Sequence, residues 1–189
     1  LVAYAKSLLP EYLRLQRVQR DIPAKLIVAG SRHSNFRQLA AAHLREQGMR
    51  CRCIRCREVG RVPAPEEATI SVTAYESCGG EERFIQAGSE DALVGFARLR
   101  FPHRIFREEL SGAALLRELH VYGGMVPLGT PAEGDEWQHR SFGVQLLSRT
   151  EEEARDRGFT RLAVMSGVGV RPYYRKQGYE RAGPYMIKT

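Results

Sequence analysis

From Thr69 to the C-terminus the apolar residues change period in a fixed order, and that order restricts the fold more than any other feature of the sequence. TISVTAYES (69–77) alternates, RFIQA (83–87) is short, ALVGFARLRF (92–101) is long and β-prone, and ALLRELHVYGG (114–124) reads as another strand. A loop with Pro127, Gly129, Pro131 and Gly134 leads to WQHRSFGVQLLSRTEEEARDRG (137–158). There Phe142, Leu146, Thr150 and Ala154 form a helical stripe, with Glu151 and Arg155 paired at i, i+4. RLAVMSG (161–167) predicts a buried strand, followed by a short helix from about Pro172 to Gln177 and a last strand from Tyr179. The order β, β, β, β, α, β, α, β specifies an α/β fold, a mixed central sheet with flanking helices, in which a long helix follows a central strand. The free N–H groups and positive dipole end at the start of that helix make an anion site.

The residues ahead of Thr69 have another texture. YLRLQRVQRDIP (12–23) reads as an extended segment stopped by Pro23, and AKLIVAG (24–30) as a short buried strand. A helix follows, with Ser34 as its cap, Phe36, Leu39, Ala40, His43 and Leu44 on one face, and Gly48 at its C′ position. The cysteine-rich MRCRCIRCREVG (49–60) comes next, and the Pro-rich VPAPEE (62–67) marks a boundary. The expectation is a basic segment over 1–62 and a second domain over 63–189.

Charge follows the same division. Residues 1–62 hold thirteen Lys/Arg against four Asp/Glu, or +9, while residues 63–189 hold sixteen against eighteen, or −2. The spacing of Arg14, Arg17 and Arg20, and of Arg50, Arg52, Arg55 and Arg57, points to a surface for a phosphate backbone. With 43% hydrophobic and 27% charged residues the chain can bury an ordinary core. No apolar run approaches the ~20 residues of a membrane span and no signal peptide opens the chain, so a cytoplasmic protein with no membrane partner is expected. Because the sequence begins on Leu1 inside what reads as an ongoing element, the C-terminal part of a longer polypeptide is expected. Homodimerisation is left open.

QHRSFG (138–143), at the start of the long helix, fits the pattern Q/R-x-x-G-x-G/A of the pyrophosphate loop of GNAT acetyltransferases, which it resembles. Backbone N–H groups there must come close to two phosphates, which glycine permits. Ser141 stands at the first glycine position, where its hydroxyl can crowd the loop or donate to phosphate. The alternative is an ordinary helix cap.

Cys51-x-Cys53-x-x-Cys56 lies on a basic background where a disulfide framework is not expected. Three thiolates this close supply most of a tetrahedral zinc site, completed by Cys78, His33 or His43. Free thiols are the alternative. On the fourth strand, Glu118 is either a general base or a salt-bridged structural residue paired with Arg117 or Arg98, and His120 shares its face.

RELHVYG, QHRSFG and SGVGVRPYYRKQGYERAGPYMIK, with RVQRDIPAKLIVAG, SNFRQL and CRCIRCREVG upstream, together resemble the catalytic subunit of Elongator over nearly the whole chain. That family joins a radical S-adenosylmethionine domain to a GNAT acetyltransferase domain and modifies C5 of the wobble uridine of tRNA. The resemblance implies that acetyl-CoA lies against Glu118, Leu119, His120 and Val121, with its pyrophosphate against Gln138, Phe142, Gly143 and Val144. Tyr173 and Tyr174 would be the family's paired tyrosines, with Tyr174 close to the cofactor; on the general-base alternative, Glu118 would act on water in acetyl-CoA hydrolysis. The resemblance also supports a structural zinc on Cys51, Cys53 and Cys56, with Cys78 taken as the fourth ligand and His33 and His43 left as its alternatives. Arg14, Arg17, Arg20, Lys25, Arg52, Arg55 and Arg57 would clamp the anticodon stem-loop of tRNA. Residues 1–62 would then be the end of the radical domain. The family's iron–sulfur triad is not in this sequence, so the cluster and S-adenosylmethionine belong to an upstream domain. The rival expectations are a protein lysine N-acetyltransferase and a non-catalytic RNA-binding module that uses acetyl-CoA as a structural ligand.

Overall fold

The computed structural model describes residues 1–18, 22–122 and 136–189, the last with side chains from residue 142. The chain divides into two compact units, Leu1–Val62 and Pro63–Thr189. Among the described residues no helix is long and apolar enough to cross a membrane.

The first unit is helical. Helix α1 (Val2–Ser7) packs against α2 (Phe36–Glu46), and a single turn, α3 (Ile54–Arg57), carries part of the cysteine cluster. α2 starts after Asn35, not Ser34, and buries Ala40 and Leu44, four residues apart, whereas Leu39 and His43 are exposed. It ends in a Schellman motif. Gly48, at φ +66°, takes the left-handed position, its N–H donates to the Arg45 carbonyl at 3.0 Å, and the Met49 N–H donates to the Leu44 carbonyl at 2.8 Å. The strand expected over 24–30 does not form. Ala24–Leu26 is a 3-10 turn, and Leu26 and Val28 are exposed. The segment is β-prone, but a strand exists only with a ladder partner, and none pairs with it among the described residues. The described residues of 12–23 form no strand either.

The second unit is built on one seven-stranded sheet, in the order β1-β2-β3-β4-β5-β7-β6. β1 (Thr69–Ser77), β2 (Gly80–Gly88), β3 (Leu93–Phe101) and β4 (Ala113–Val121) form an antiparallel meander. Cys78 and Gly79, both at positive φ, make the two-residue β1–β2 turn, and this fixes the register that sets Tyr75 opposite Glu82. β5 (Arg161–Val164) runs parallel to β4, and β7 (Tyr185–Lys188) and β6 (Glu180–Ala182) close the far side as a hairpin. The sequence predicts one strand where this hairpin stands, and the turn at Gly183–Pro184 splits it.

Helix α4 (Glu136–Asp156) covers β2, β3 and β4. Its expected stripe is the buried one: Leu146, Thr150 and Ala154 are buried and Phe142 packs against the core with Ile85, Leu99, Leu116 and Met186. The Thr150 hydroxyl donates to the Leu146 carbonyl at 2.7 Å, so this buried hydroxyl is satisfied. Glu151 differs from expectation. Its carboxylate accepts from Tyr179 at 2.8 Å and Lys188 at 3.0 Å rather than pairing with Arg155, and so ties α4 to the last hairpin.

β4 is irregular in two respects. β5 pairs only with Ala113–Leu116, the last bond being Met165 N–H to the Leu116 carbonyl at 3.1 Å, so β4 runs on to Val121 without a partner on that side. A bulge at Arg117 interrupts the β3–β4 register, with Arg98 opposite Glu118 and Leu99 opposite Leu116. The two parallel strands therefore part beside Arg117–Val121.

Candidate functional site

The parting of β4 from β5 leaves residues 117–121, among the described residues, without a strand partner on one edge in the middle of a sheet. Leu119 and Val121 pack against the core under α4, and Glu118 and His120 take the opposite face, where both are exposed. The tyrosine pair is carried by α5 (Arg171–Lys176). Pro172 sits in its first turn, where a missing N–H costs nothing.

Gly143, Val121 and Tyr173 meet at one place. A Cβ on Gly143 would lie 3.4 Å from the Tyr173 hydroxyl and 3.7 Å from Val121 Cγ2. The Tyr173 hydroxyl is buried and has no partner among the described residues. A buried donor left unpaired costs about 1–3 kcal/mol. Burial holds this phenol above its ordinary value, so it is a proton donor waiting for an acceptor. Phosphate or amide oxygens of acetyl-CoA would supply one, and the residues present fit that cofactor. Tyr174 is 6% exposed, edge-on to Tyr173 at 5.2 Å and to Tyr179 at 5.7 Å. Burial, then the neighbouring Tyr173, pushes its hydroxyl up to about 12. Phe142 is half-buried and Val144 exposed. The segment 138–143 falls within the first two turns of α4, and the side chains of Gln138 and Ser141 lie outside the described residues.

Of the two arginines that could pair with Glu118, it is Arg98 that does. Arg98 Nε donates to the Glu118 carboxylate at 3.4 Å, while Arg117 reaches over to Glu82. Glu82 is 1% exposed and also accepts from Arg100 at 3.0 Å and from the Tyr75 hydroxyl at 2.6 Å. Burial raises its carboxyl, but the hydrogen bonds from Tyr75, Arg100 and Arg117 outweigh it, so Glu82 titrates below the usual carboxylate range. Arg98 Nη1 donates to the same Tyr75 oxygen at 2.6 Å, and its guanidinium lies over the Phe84 and Phe96 rings at 5.6 and 5.8 Å. Burial, then Glu82, pushes Tyr75 up to about 12. The His120 ring lies edge-on to Tyr122 at 4.4 Å and 6.1 Å from Phe96.

In the first unit the Sγ atoms of Cys51, Cys53 and Cys56 all lie within 4.8 Å of one another. Cys53 is buried, and hydrogen bonds from Cys51 and Cys56 hold its thiol well below the ordinary range while holding Cys51 above it. Lys6, 1% exposed, donates to Cys56 at 3.3 Å, and Arg37 approaches the same sulfur at 4.0 Å. Converging sulfurs beside a buried ammonium suit a thiophilic cation such as zinc. Cys78 is exposed in the β1–β2 turn of the other unit, and among the described residues of the first unit neither His33 nor His43 belongs to the group.

The basic residues separate into two kinds. Arg17 and Lys25 are exposed. Arg14 pairs with Glu58 at 2.9 Å, Arg52 with Glu11 at 3.6 Å and Arg55 with Glu58 at 3.7 Å, all three retaining some exposure. Arg57 is a correction: it is 4% exposed and donates to the carbonyls of Arg52 at 2.9 Å and Glu11 at 3.2 Å, so it braces the fold. Arg20 lies outside the described residues. Sequence reasoning missed Lys6, Tyr75 and Glu82. The Cys78–Gly79 turn was the signal available for the last two, since it sets them opposite one another.

The family model for the acetyltransferase (GNAT) family matches residues 48–179. The chain is 42% identical, over its whole length, to a tRNA uridine(34) acetyltransferase of Methanocaldococcus infernus, of which it covers 37%. It is 43% identical over its whole length to Elongator complex protein 3 of Danio rerio, of which it covers 36%. It thus spans a little over a third of the length of these curated relatives. Among solved structures, the archaeal Methanocaldococcus infernus Elp3 with an N-terminal deletion superposes with a TM-score of 0.84 at 41% identity, covering 99% of this chain and 46% of that one.

Proposed function

The chain belongs to the acetyltransferase (GNAT) family, and from that premise we propose that it is the acetyl-CoA-binding and acetyl-CoA-hydrolysing part of a tRNA uridine(34) acetyltransferase acting at C5 of the wobble uridine. The observation that carries the reading is the opening between β4 and β5, walled by Gly143 and Val121 and faced by the Tyr173 hydroxyl, which has no partner among the described residues. The relatives' names supply the reaction class, since two of them are tRNA uridine(34) acetyltransferases at 42% identity. The rest of the activity, including the radical chemistry, falls to residues beyond this chain.

Acetyl-CoA brings an activated acetyl group, and the residues of this chain hold and open the thioester. The free edge of Arg117–Val121 meets the pantetheine amides. Gly143, two turns into α4, has no side chain to keep the pyrophosphate from that face of the helix, and Phe142 and Val144 stand on either side of it in the chain. Tyr173 donates its hydroxyl to a cofactor oxygen. Glu118 takes a proton from water as the water oxygen bonds to the acetyl carbon, and the carbon–sulfur bond then breaks to leave acetate and the CoA thiolate. Tyr174, kept protonated by burial, donates its proton to the departing sulfur, and the proton that Glu118 took returns to the tyrosine through solvent, which restores both groups.

Cys51, Cys53 and Cys56 would hold a structural zinc whose fourth ligand lies outside the triad. Arg14, Arg17, Arg52 and Arg55, with Lys25, meet phosphates of the tRNA anticodon stem-loop. The compartment is the cytoplasm. Tyr174→Phe tests the chemistry. It keeps the ring and removes only the hydroxyl, so acetyl-CoA binding should survive while thiol release slows by about a hundredfold, within the range for a positioned acid. Equal loss of binding and turnover would make Tyr174 a packing residue.

A further inference from the structure

Glu118 sits at the rim of the opening on an exposed part of β4, where a lone carboxylate would sample many rotamers. It is instead the end of a chain of contacts that begins in the sheet. Glu82, inaccessible to water, is held by Arg100 and Arg117, and accepts the Tyr75 hydroxyl proton at 2.6 Å. That bond fixes the Tyr75 lone pairs, which accept from Arg98 Nη1 at 2.6 Å. The Arg98 guanidinium is fixed further by lying over Phe84 and Phe96, and its Nε is then aimed at Glu118 at 3.4 Å. Glu82, Tyr75, Arg98 and Arg100 are each largely withdrawn from solvent or tied at two points. The register repeats the same order, with Tyr75 opposite Glu82, Phe84 opposite Arg98, and Arg98 opposite Glu118. The bulge at Arg117 brings Glu118 to that position.

We propose that Tyr75 and Arg98 are positioning residues that hold the Glu118 carboxylate in its working orientation at the β4–β5 opening. The inference rests on the acetyl-CoA-hydrolysing reading for what Glu118 does, but the positioning itself is a property of the sheet. Neither residue touches the acetyl group. They act by restricting Glu118 to one rotamer, which a reacting group needs for an aligned attack.

The chain of contacts supports two measurements. In thioester hydrolysis, Tyr75→Phe should lower kcat by roughly ten- to a hundredfold and leave KM within about twofold, the signature of a misplaced reacting group rather than lost binding. Tyr75→Phe combined with Glu118→Gln should be no slower than Glu118→Gln alone, because there is then no base left to position. Multiplying effects in the double variant, or an unchanged kcat in Tyr75→Phe, would overturn the inference. The second measurement needs no turnover: in nitrogen–proton spectra the Arg98 Nε–H should exchange slowly with water, and faster in both Glu118→Gln and Tyr75→Phe. An Arg98 signal indifferent to Glu118→Gln would overturn the positioning. A wild-type chain that shows the protected Arg98 signal but neither binds nor hydrolyses acetyl-CoA would overturn the functional reading instead.

Discussion

Among single residues, the groups easiest to read from sequence were those whose chemistry is local, and the hardest were buried charges. Gly143 and Tyr173 belong to short motifs, and the structure brings them to within contact of each other. Lys6 and Glu82 look like any surface Lys and Glu in the sequence, yet both are 1% exposed, because their partners come from far along the chain. Arg57 failed as a phosphate contact for the same reason: its fork is satisfied by the carbonyls of Arg52 and Glu11. Glu82 carries a pH prediction. Its folded carboxyl titrates below the unfolded value of about 4.3. The stability it contributes is therefore complete above that value and is lost as pH falls through the folded one. Glu82→Gln should cost about 1–3 kcal/mol at neutral pH and flatten the acid limb of urea-unfolding midpoints. An acid limb as steep as that of the wild type would remove Glu82 from this role.

Among the elements, periodicity located α4 and the β1–β4 meander because their buried faces are long enough to show a period. It failed at 24–30, where a short apolar run has no sheet to join, and at the C-terminus, where Gly183–Pro184 turns one expected strand into two. The parting of β4 from β5 was not legible from periodicity. It depends on how many residues of one strand the next one matches, and that is set by packing. α4 lies directly under the parting, with Leu146 0% exposed against β3 and β4. Leu146→Ala should lower unfolding free energy by about 3 kcal/mol, the usual cost of a Leu-sized cavity. Thermal or urea denaturation measures it, and a loss under about 1 kcal/mol would show that the site collapses around the gap.

Across the molecule, the charge division was the feature read most directly, since residues 1–62 carry +9 and residues 63–189 carry −2. If that basic unit meets tRNA, affinity should fall steeply with salt, and neutralising Arg17, Lys25, Arg52 and Arg55 together should reduce the log–log slope by about three to four, near one counterion per lost phosphate contact. Filter binding across a salt series reads this, and an unchanged slope would move the RNA surface elsewhere. The functional reading depends above all on the opening beside Arg117–Val121 taking acetyl-CoA. Calorimetric titration of acetyl-CoA into the wild type and Gly143→Trp decides that point. A Cβ at Gly143 already lies 3.4 Å from the Tyr173 hydroxyl, so a tryptophan must fill the space between α4, Val121 and α5. Saturable one-to-one binding to the wild type and none to a folded Gly143→Trp is the expected result; equal binding to both would place the cofactor elsewhere and remove the basis of the proposed function.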